Sequence, residues 1–81
     1  MADEQQLYTG IVASWRDEKG YGFIRVDGDT GRAIFIHARD IKTGHGHRSL
    51  TVGSSVEFEI GRDAQGRRQC ENVVVIEQAG T

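Results

Sequence analysis

The chain has 81 residues, with ten Lys plus Arg and twelve Asp plus Glu, so its formal charge is −2. A chain of this length holds one small domain, and its single cysteine, Cys70, excludes an internal disulfide. The sequence lacks an apolar run of the kind found in signal peptides and membrane spans, which favours a reducing, cytoplasmic setting without membrane contact. It also lacks the bulk positive charge typical of many nucleic-acid binders.

A polar leader, residues 1–7, precedes the first predicted strand, which covers about residues 8–16. Side chains alternate between the two faces of a strand. We therefore expect Trp15 to share one face with Ile11 and Ala13, opposite Gly10, Val12 and Ser14. The segment RDEKG then turns the chain into the second strand.

The second predicted strand, KGYGFIRV at 19–26, has one aromatic and basic face, formed by Lys19, Tyr21, Phe23 and Arg25. The opposite face is aliphatic. Burying the first face would bury two cations, so we expect the aromatic face to lie outside. Rings exposed between cations indicate a flat, anionic ligand, and a single-stranded nucleic acid fits that description.

The rest of the chain predicts three further strands. AIFIHA at 33–38 repeats the polarity of the second strand, with Phe35 and His37 opposite two isoleucines. A long polar connection follows, with at most one short helical turn around residues 39–42. SVEFEI at 55–60 and QCENVVVIE at 69–77 supply the last two strands.

Short strands with frequent turns predict a small five-stranded antiparallel β-barrel, an all-β fold. The residues expected inside it are Val12, Ile24, Val26, Ile34, Ile36, Val56, Phe58, Ile60 and Val73. The oligonucleotide-binding barrel (OB-fold) meets this description, and its binding face is the outer surface of the second and third strands.

Several motifs in a fixed order carry a family resemblance: TGIV, KGYGFI, IFIH, SLTVG and ENV. With these motifs the chain resembles the cold-shock domain family over about residues 8–76, which leaves a leader at 1–7 and a tail at 77–81. The RNA recognition motif has a string similar to KGYGF. It is excluded because its IFIH-like strand comes first and because it requires two amphipathic helices.

The resemblance implies that bases stack on Tyr21, Phe23, Phe35 and His37, with Lys19 as a basic partner. Trp15 occupies a place where relatives usually have phenylalanine, and we assign it to the same outward face. Two positions depart from the family pattern: Ser14 stands where most members have tryptophan, and Ala38 where they have an aromatic residue. In the GHGHR loop, His47 or His45 is the candidate for the stacking role of a missing loop aromatic.

We therefore predict a single-stranded RNA or DNA binder with the role of an RNA chaperone, monomeric and without catalytic activity, metal or other cofactor. The predicted binding residues are Trp15, Lys19, Tyr21, Phe23, Arg25, Phe35, His37, Arg39, Lys42 and His47. The alternative is a protein-interaction module whose shortened aromatic face docks a peptide or another domain. We interpret the arginines near 62–68 as part of a solvated turn or, alternatively, as a contact to phosphate.

Overall fold

The computed structural model describes residues 6–28, 33–42 and 49–79. In these ranges the chain forms five strands, and a short 3₁₀ helix, Ala38–Asp40, follows the third. The strands are β1 (Tyr8–Arg16), β2 (Tyr21–Val26), β3 (Ala33–His37), β4 (Ser55–Arg62) and β5 (Arg68–Glu77). No helix within the described ranges is long and apolar enough to cross a membrane. The predicted leader and tail fall partly outside these ranges, and His45 and His47 fall wholly outside them.

The strands close into a barrel in the order β1-β2-β3-β5-β4, which confirms the predicted fold class. The β1–β2, β2–β3, β1–β4 and β4–β5 neighbours are antiparallel. The barrel closes through a parallel contact, in which Phe35 of β3 pairs with Gln69 of β5. A bridge between Ile41 and Val73 extends this contact past the 3₁₀ helix. The start of β5 therefore lies beside β3, next to one of the predicted stacking residues.

The barrel interior contains all the residues predicted for it except Val26 and Ile60, which are only partly buried. Ile41, Leu50 and Cys70 complete the core. Ile41 and Leu50 lie in the long connection, where no alternation marks an inward position. The Cys70 thiol is fully buried, and this burial, aided by a nearby carboxylate, raises its pKa to about 12. Cys70 is thus a small core residue.

A β-bulge in β1 gives Trp15 an orientation that differs from the predicted one. Val12 pairs with Ile24, but the next pair joins Ser14 to Phe23, so one residue of β1 is skipped. An extra residue on one strand reverses the alternation beyond it. Ser14 therefore shares the outer face with Phe23, whereas Trp15 lies opposite Gly22 on the inner side. The prediction that Trp15 shares a face with Ile11 and Ala13 is wrong.

The second correction concerns Lys19, which precedes β2 rather than belonging to it. The chain turns between Arg16 and Tyr21, and the backbone N–H groups of Lys19 and Gly20 donate to the Arg16 carbonyl oxygen at 3.1 and 2.8 Å. Gly20 has a φ of +74°, a conformation that glycine adopts without the steric cost of a Cβ atom. Lys19 is therefore presented by a turn at the edge of the sheet.

Candidate nucleic-acid interface

Strands β1, β2 and β3 present one continuous outer surface with β2 in the middle. The pairing aligns the outer residues in rows: His37–Tyr21–Arg16, Phe35–Phe23–Ser14 and Ala33–Arg25–Ile11. Ile24 and Ile36, on the opposite side of β2 and β3, are fully buried. This burial confirms the predicted orientation of the aromatic face, by which we mean Tyr21, Phe23, Phe35 and His37.

The rings of the aromatic face contact one another, with Phe35 at the centre. Its centroid lies 5.7 Å from that of Tyr21, with the ring planes tilted by 35°. It lies 5.9 Å from that of Phe23, in an edge-to-face arrangement at 76°. Both distances fall within the range for favourable aromatic pairs, about 4.5 to 7 Å. The rings therefore support one another, while Phe23 stays 38% exposed and open to a ligand.

The imidazole of His37 is held in place by the backbone that follows it. His37 is the N-cap of the 3₁₀ helix, and its Nδ1 accepts a hydrogen bond of 3.2 Å from the Arg39 N–H. In the neutral ring the proton is then on Nε2. The cap thus fixes the ring orientation beside Tyr21, its cross-strand partner, and leaves the Nε2–H group as a donor.

The basic residues predicted to bind nucleic acid lie at different positions relative to the aromatic face. Arg25 is exposed and stands on β2 in the row after Phe23. Lys19 is exposed in the turn before β2, and Arg39 is exposed in the 3₁₀ helix after His37. The Lys42 N–H instead donates to the Val73 carbonyl oxygen at 2.7 Å, which ties its backbone to β5. The structure therefore brings the first three to the borders of the face, and Lys42 lies outside its rows.

Trp15 supports the sheet from the inner side. It is half-buried and packs against the core, and its Nε1–H donates to Asp17 Oδ1 at 3.1 Å. A Cβ atom on Gly22 would overlap the Ser14 carbonyl oxygen and lie 2.8 Å from Trp15 Cε3. The indole thus occupies the space that the glycine leaves. A stacking role for Trp15 stays a prediction, but its position is not that of the other rings.

The two departures from the family pattern leave gaps next to the aromatic face. Ser14 is exposed and stands directly across from Phe23, so the row of Phe35 and Phe23 ends in a hydroxyl on the β1 side. Ala38 follows His37, and its N–H donates to the Gly20 carbonyl oxygen at 2.9 Å. A methyl group and a hydroxyl thus stand at positions from which larger rings would extend the face.

Asp40 is a charged group that the barrel partly encloses. Burial is the main cause that raises the pKa of its carboxyl, and the nearby Glu71 adds to this effect, while Arg39 and His37 oppose it. Its Oδ2 is buried and has no hydrogen-bond partner among the described residues. Within the same residues, no group of three or more His, Cys, Asp or Glu side chains is arranged to hold a metal ion.

A groove that no sequence pattern indicates adjoins the aromatic face. The residues that line this groove, of about 490 Å³, include Phe23 and Phe35 of the aromatic face together with Asp63, Arg67 and Arg68. The arginine-rich segment near 62–68 can be identified in the sequence, but the sequence does not indicate that this segment lies next to the aromatic face. The parallel pairing of β3 with β5 brings that segment to the end of the aromatic face.

Comparison with known proteins agrees with this geometry. Residues 8–76 match the family model described as the "'Cold-shock' DNA-binding domain". Cold shock protein CspB of Geobacillus stearothermophilus is 46% identical over 70 residues, covering 84% of this chain and 97% of the relative. Glycine-rich protein 2 of Nicotiana sylvestris is 40% identical over 74 residues, covering 90% of this chain, which spans only 34% of the relative's length.

The fold also matches a solved structure, drosophila Unr CSD456, with a TM-score of 0.71. The match covers 95% of this chain and 29% of the other at 19% sequence identity, so it concerns the fold alone. The family model spans the whole barrel, and the CspB relative matches over nearly its full length. The chain therefore belongs to the cold-shock DNA-binding domain family.

Proposed function

We propose that this domain binds single-stranded RNA or DNA by stacking successive bases on Tyr21, Phe23, Phe35 and His37. The observation that carries the proposal is the set of mutually supporting rings on the outer surface of β2 and β3, with Phe35 at their centre. Stacking on an aromatic side chain contributes about 1 to 3 kcal/mol per base and tolerates any base. The family match supports this function over a protein-interaction module.

The charge distribution indicates that stacking contributes more than phosphate contacts. Lys19, Arg25 and Arg39 border the aromatic face, and acidic residues lie in the turns before and after β2 at Asp17, Glu18 and Asp27. For a single strand, the logarithm of the affinity falls with that of the salt concentration by about 0.7 per neutralised phosphate. With so few cations we expect a shallow salt dependence.

An RNA-chaperone role follows from the same surface. Bases become available for stacking only when a hairpin opens, so a protein that captures unpaired bases shifts the equilibrium toward the open strand. We also expect the domain to act as a cytoplasmic monomer without catalytic activity.

The test is fluorescence anisotropy of labelled oligo-dT and oligo-U with the wild type and with Phe23→Ala. Loss of one stacking ring should weaken binding by roughly 5- to 150-fold, the range that corresponds to one stacked base. Val74→Ala is the matched control, because Val74 is also 38% exposed on a strand but lies on β5. Its affinity should equal that of the wild type.

Saturable binding to both oligonucleotides, weakened in Phe23→Ala and unchanged in Val74→Ala, would support the proposal. Equal affinity in the two variants would show that the ligand does not use the aromatic face. Absence of binding by the wild type at high micromolar concentration would contradict the proposed function altogether.

A further inference from the structure

One row of the outer surface combines two rings with a guanidinium. Arg16, the last residue of β1, pairs with Tyr21, which in turn pairs with His37. Strict alternation from Val12 would turn Arg16 toward the barrel interior. The β1 bulge lies between the two and reverses the alternation, so Arg16 shares the outer side with Tyr21. The position of this cation beside the aromatic face therefore depends on the bulge.

The backbone of Arg16 is held in place, whereas its side chain is open to a ligand. The Arg16 carbonyl oxygen accepts the hydrogen bonds of the turn, from the Lys19 and Gly20 N–H groups at 3.1 and 2.8 Å. The side chain is exposed, and its guanidinium has no hydrogen-bond or ion-pair partner in the part of the chain that the structure describes. The neighbouring Asp17 carboxylate accepts instead from the Trp15 Nε1–H at 3.1 Å.

A base stacked on Tyr21 lies within reach of the Arg16 guanidinium. Directly opposed residues of two antiparallel strands have Cβ atoms about 4.5 to 5.5 Å apart. The long side chain of Arg16 therefore extends to the edge of a base that covers the Tyr21 ring. A guanidinium is planar and presents parallel N–H donors, so it pairs best with two adjacent acceptors that lie in one plane.

Guanine offers the most favourable pair of acceptors for this arrangement. Its O6 and N7 atoms are adjacent, and a bidentate contact from arginine to them is the commonest specific contact to a base. Adenine has a donor amino group beside N7, and thymine and uracil have an N–H group between their carbonyl oxygens. Cytosine also has adjacent acceptors, N3 and O2, but its smaller ring covers less of the row.

The other end of the row also presents a donor. His37 Nδ1 already accepts the Arg39 N–H at 3.2 Å, so the neutral imidazole offers only its Nε2–H group to a base. A base on Tyr21 therefore lies between donors on both sides. This arrangement favours a base whose edge carries acceptors.

We propose that Arg16 is a specificity-determining residue, which gives this domain a preference for guanine at the nucleotide stacked on Tyr21. The guanidinium donates two hydrogen bonds, one to O6 and one to N7 of the base. The inference deepens the proposed function and rests on it, because the base must first stack on the aromatic face. Stacking itself tolerates any base, so a preference confined to one position is the contribution of Arg16.

The test is a competition assay against labelled oligo-dT. The competitors are oligo-dT strands of about 8 nucleotides in which one guanine, adenine or cytosine is placed at each position in turn. At one position, guanine should bind the wild type roughly fivefold or more tightly than adenine, the lower end of the range for a bidentate contact, because Arg16 is exposed. Adenine has the same ring size, so this comparison removes the effect of stacking area.

Two modified bases identify the atoms that are read. 7-Deazaguanine has a C–H group in place of N7 and should lose the gain in affinity. Hypoxanthine keeps O6 and N7 but lacks the amino group of guanine, and it should retain the gain. The opposite result would show that the base is recognised through its Watson–Crick edge and would refute the contact to Arg16.

Arg16→Lys is the variant that separates geometry from charge. Lysine keeps the positive charge but lacks the planar pair of donors, so the variant should bind oligo-dT as the wild type does and lose the preference for guanine. Arg25→Lys is the matched control, because it makes the same change in the row beyond Phe23. Any change in its affinity should be equal for all bases. Thermal melts of both variants establish that the barrel is folded.

The outcomes separate this inference from the function on which it rests. A preference for guanine that survives in Arg16→Lys, or that is lost equally in Arg25→Lys, would refute the role of Arg16. Equal weakening of every oligonucleotide by Arg16→Lys would indicate a phosphate contact and would also refute it. If the wild type binds oligo-dT without a preference for guanine, this inference fails and the proposed function stands. If the wild type binds no oligonucleotide, both fail.

Discussion

Ser14→Trp is the substitution that most directly tests the geometry of the interface. The β1 bulge places Ser14 on the outer face, exposed and directly across from Phe23. Strict alternation from Val12 would instead point the same side chain into the barrel. The two arrangements predict opposite results for a large ring at this position.

With the bulge, the new indole adds a ring to the row of Phe35 and Phe23. One more stacked base contributes about 1 to 3 kcal/mol, so the dissociation constant for oligo-dT should fall by roughly 5- to 150-fold. The indole also gains a cross-strand contact with Phe23, a pair that contributes about 0.5 to 1.5 kcal/mol beyond area burial. Stability should therefore be unchanged or slightly higher.

Without the bulge, the indole would be forced into a packed core and would cost about 1 to 3 kcal/mol, which corresponds to about 4 to 8 °C per kcal/mol in a domain of this size. Anisotropy and thermal melting of the same preparation distinguish the cases, with Val74→Trp as a control that adds an exposed ring on β5. A melting temperature lowered by several degrees, or an affinity no higher than that of the control, would refute the assigned orientation of Ser14.

Three further predictions concern stability. Gly22→Ala should destabilise the barrel by about 1 to 3 kcal/mol in urea denaturation, because the methyl group would collide with the β1 backbone and the Trp15 ring; an unchanged midpoint would contradict this packing. Asn72 has a φ of 51°, and its side-chain amide donates to Glu59 Oε1 at 2.7 Å. Both Asn72→Ala and Asn72→Gly lose this hydrogen bond, but only glycine adopts the positive φ without a steric cost, so Asn72→Ala should be less stable than Asn72→Gly by about 1 kcal/mol. The reverse order of stability in thermal melts would show that the backbone conformation does not determine the stability at this position. Burial raises the pKa of Asp40 above 3.8, so its ionised form opposes folding at neutral pH and protonation relieves this as the pH falls through the raised value. Asp40→Asn should therefore be more stable than the wild type near pH 7, with a gain that shrinks toward about pH 4; a gain equal at both pH values would exclude ionisation as its cause.

Local patterns in the sequence were sufficient to predict much of the fold and the orientation of the aromatic face. In β2 and β3, aliphatic residues alternate with aromatic or basic ones, so the burial of Ile24 and Ile36 also determines that Phe23 and Phe35 face outward. The order of the motifs gave the family and, with it, the barrel. The strands and the orientation of their faces follow from two-residue periodicity and turn chemistry, which act between near neighbours in the chain.

The orientation of Trp15 and the position of the arginine turn depended on tertiary structure. Nothing in the residues of β1 marks the bulge, which arises from how β1 pairs with β2 and which reverses the orientation of Ser14 and Trp15. The groove depends on a parallel contact between Phe35 and Gln69, which are far apart in the chain. Alternation fixes faces only within an uninterrupted strand, whereas the pairing of strands decides which residues share a surface, because that pairing must bury one common core.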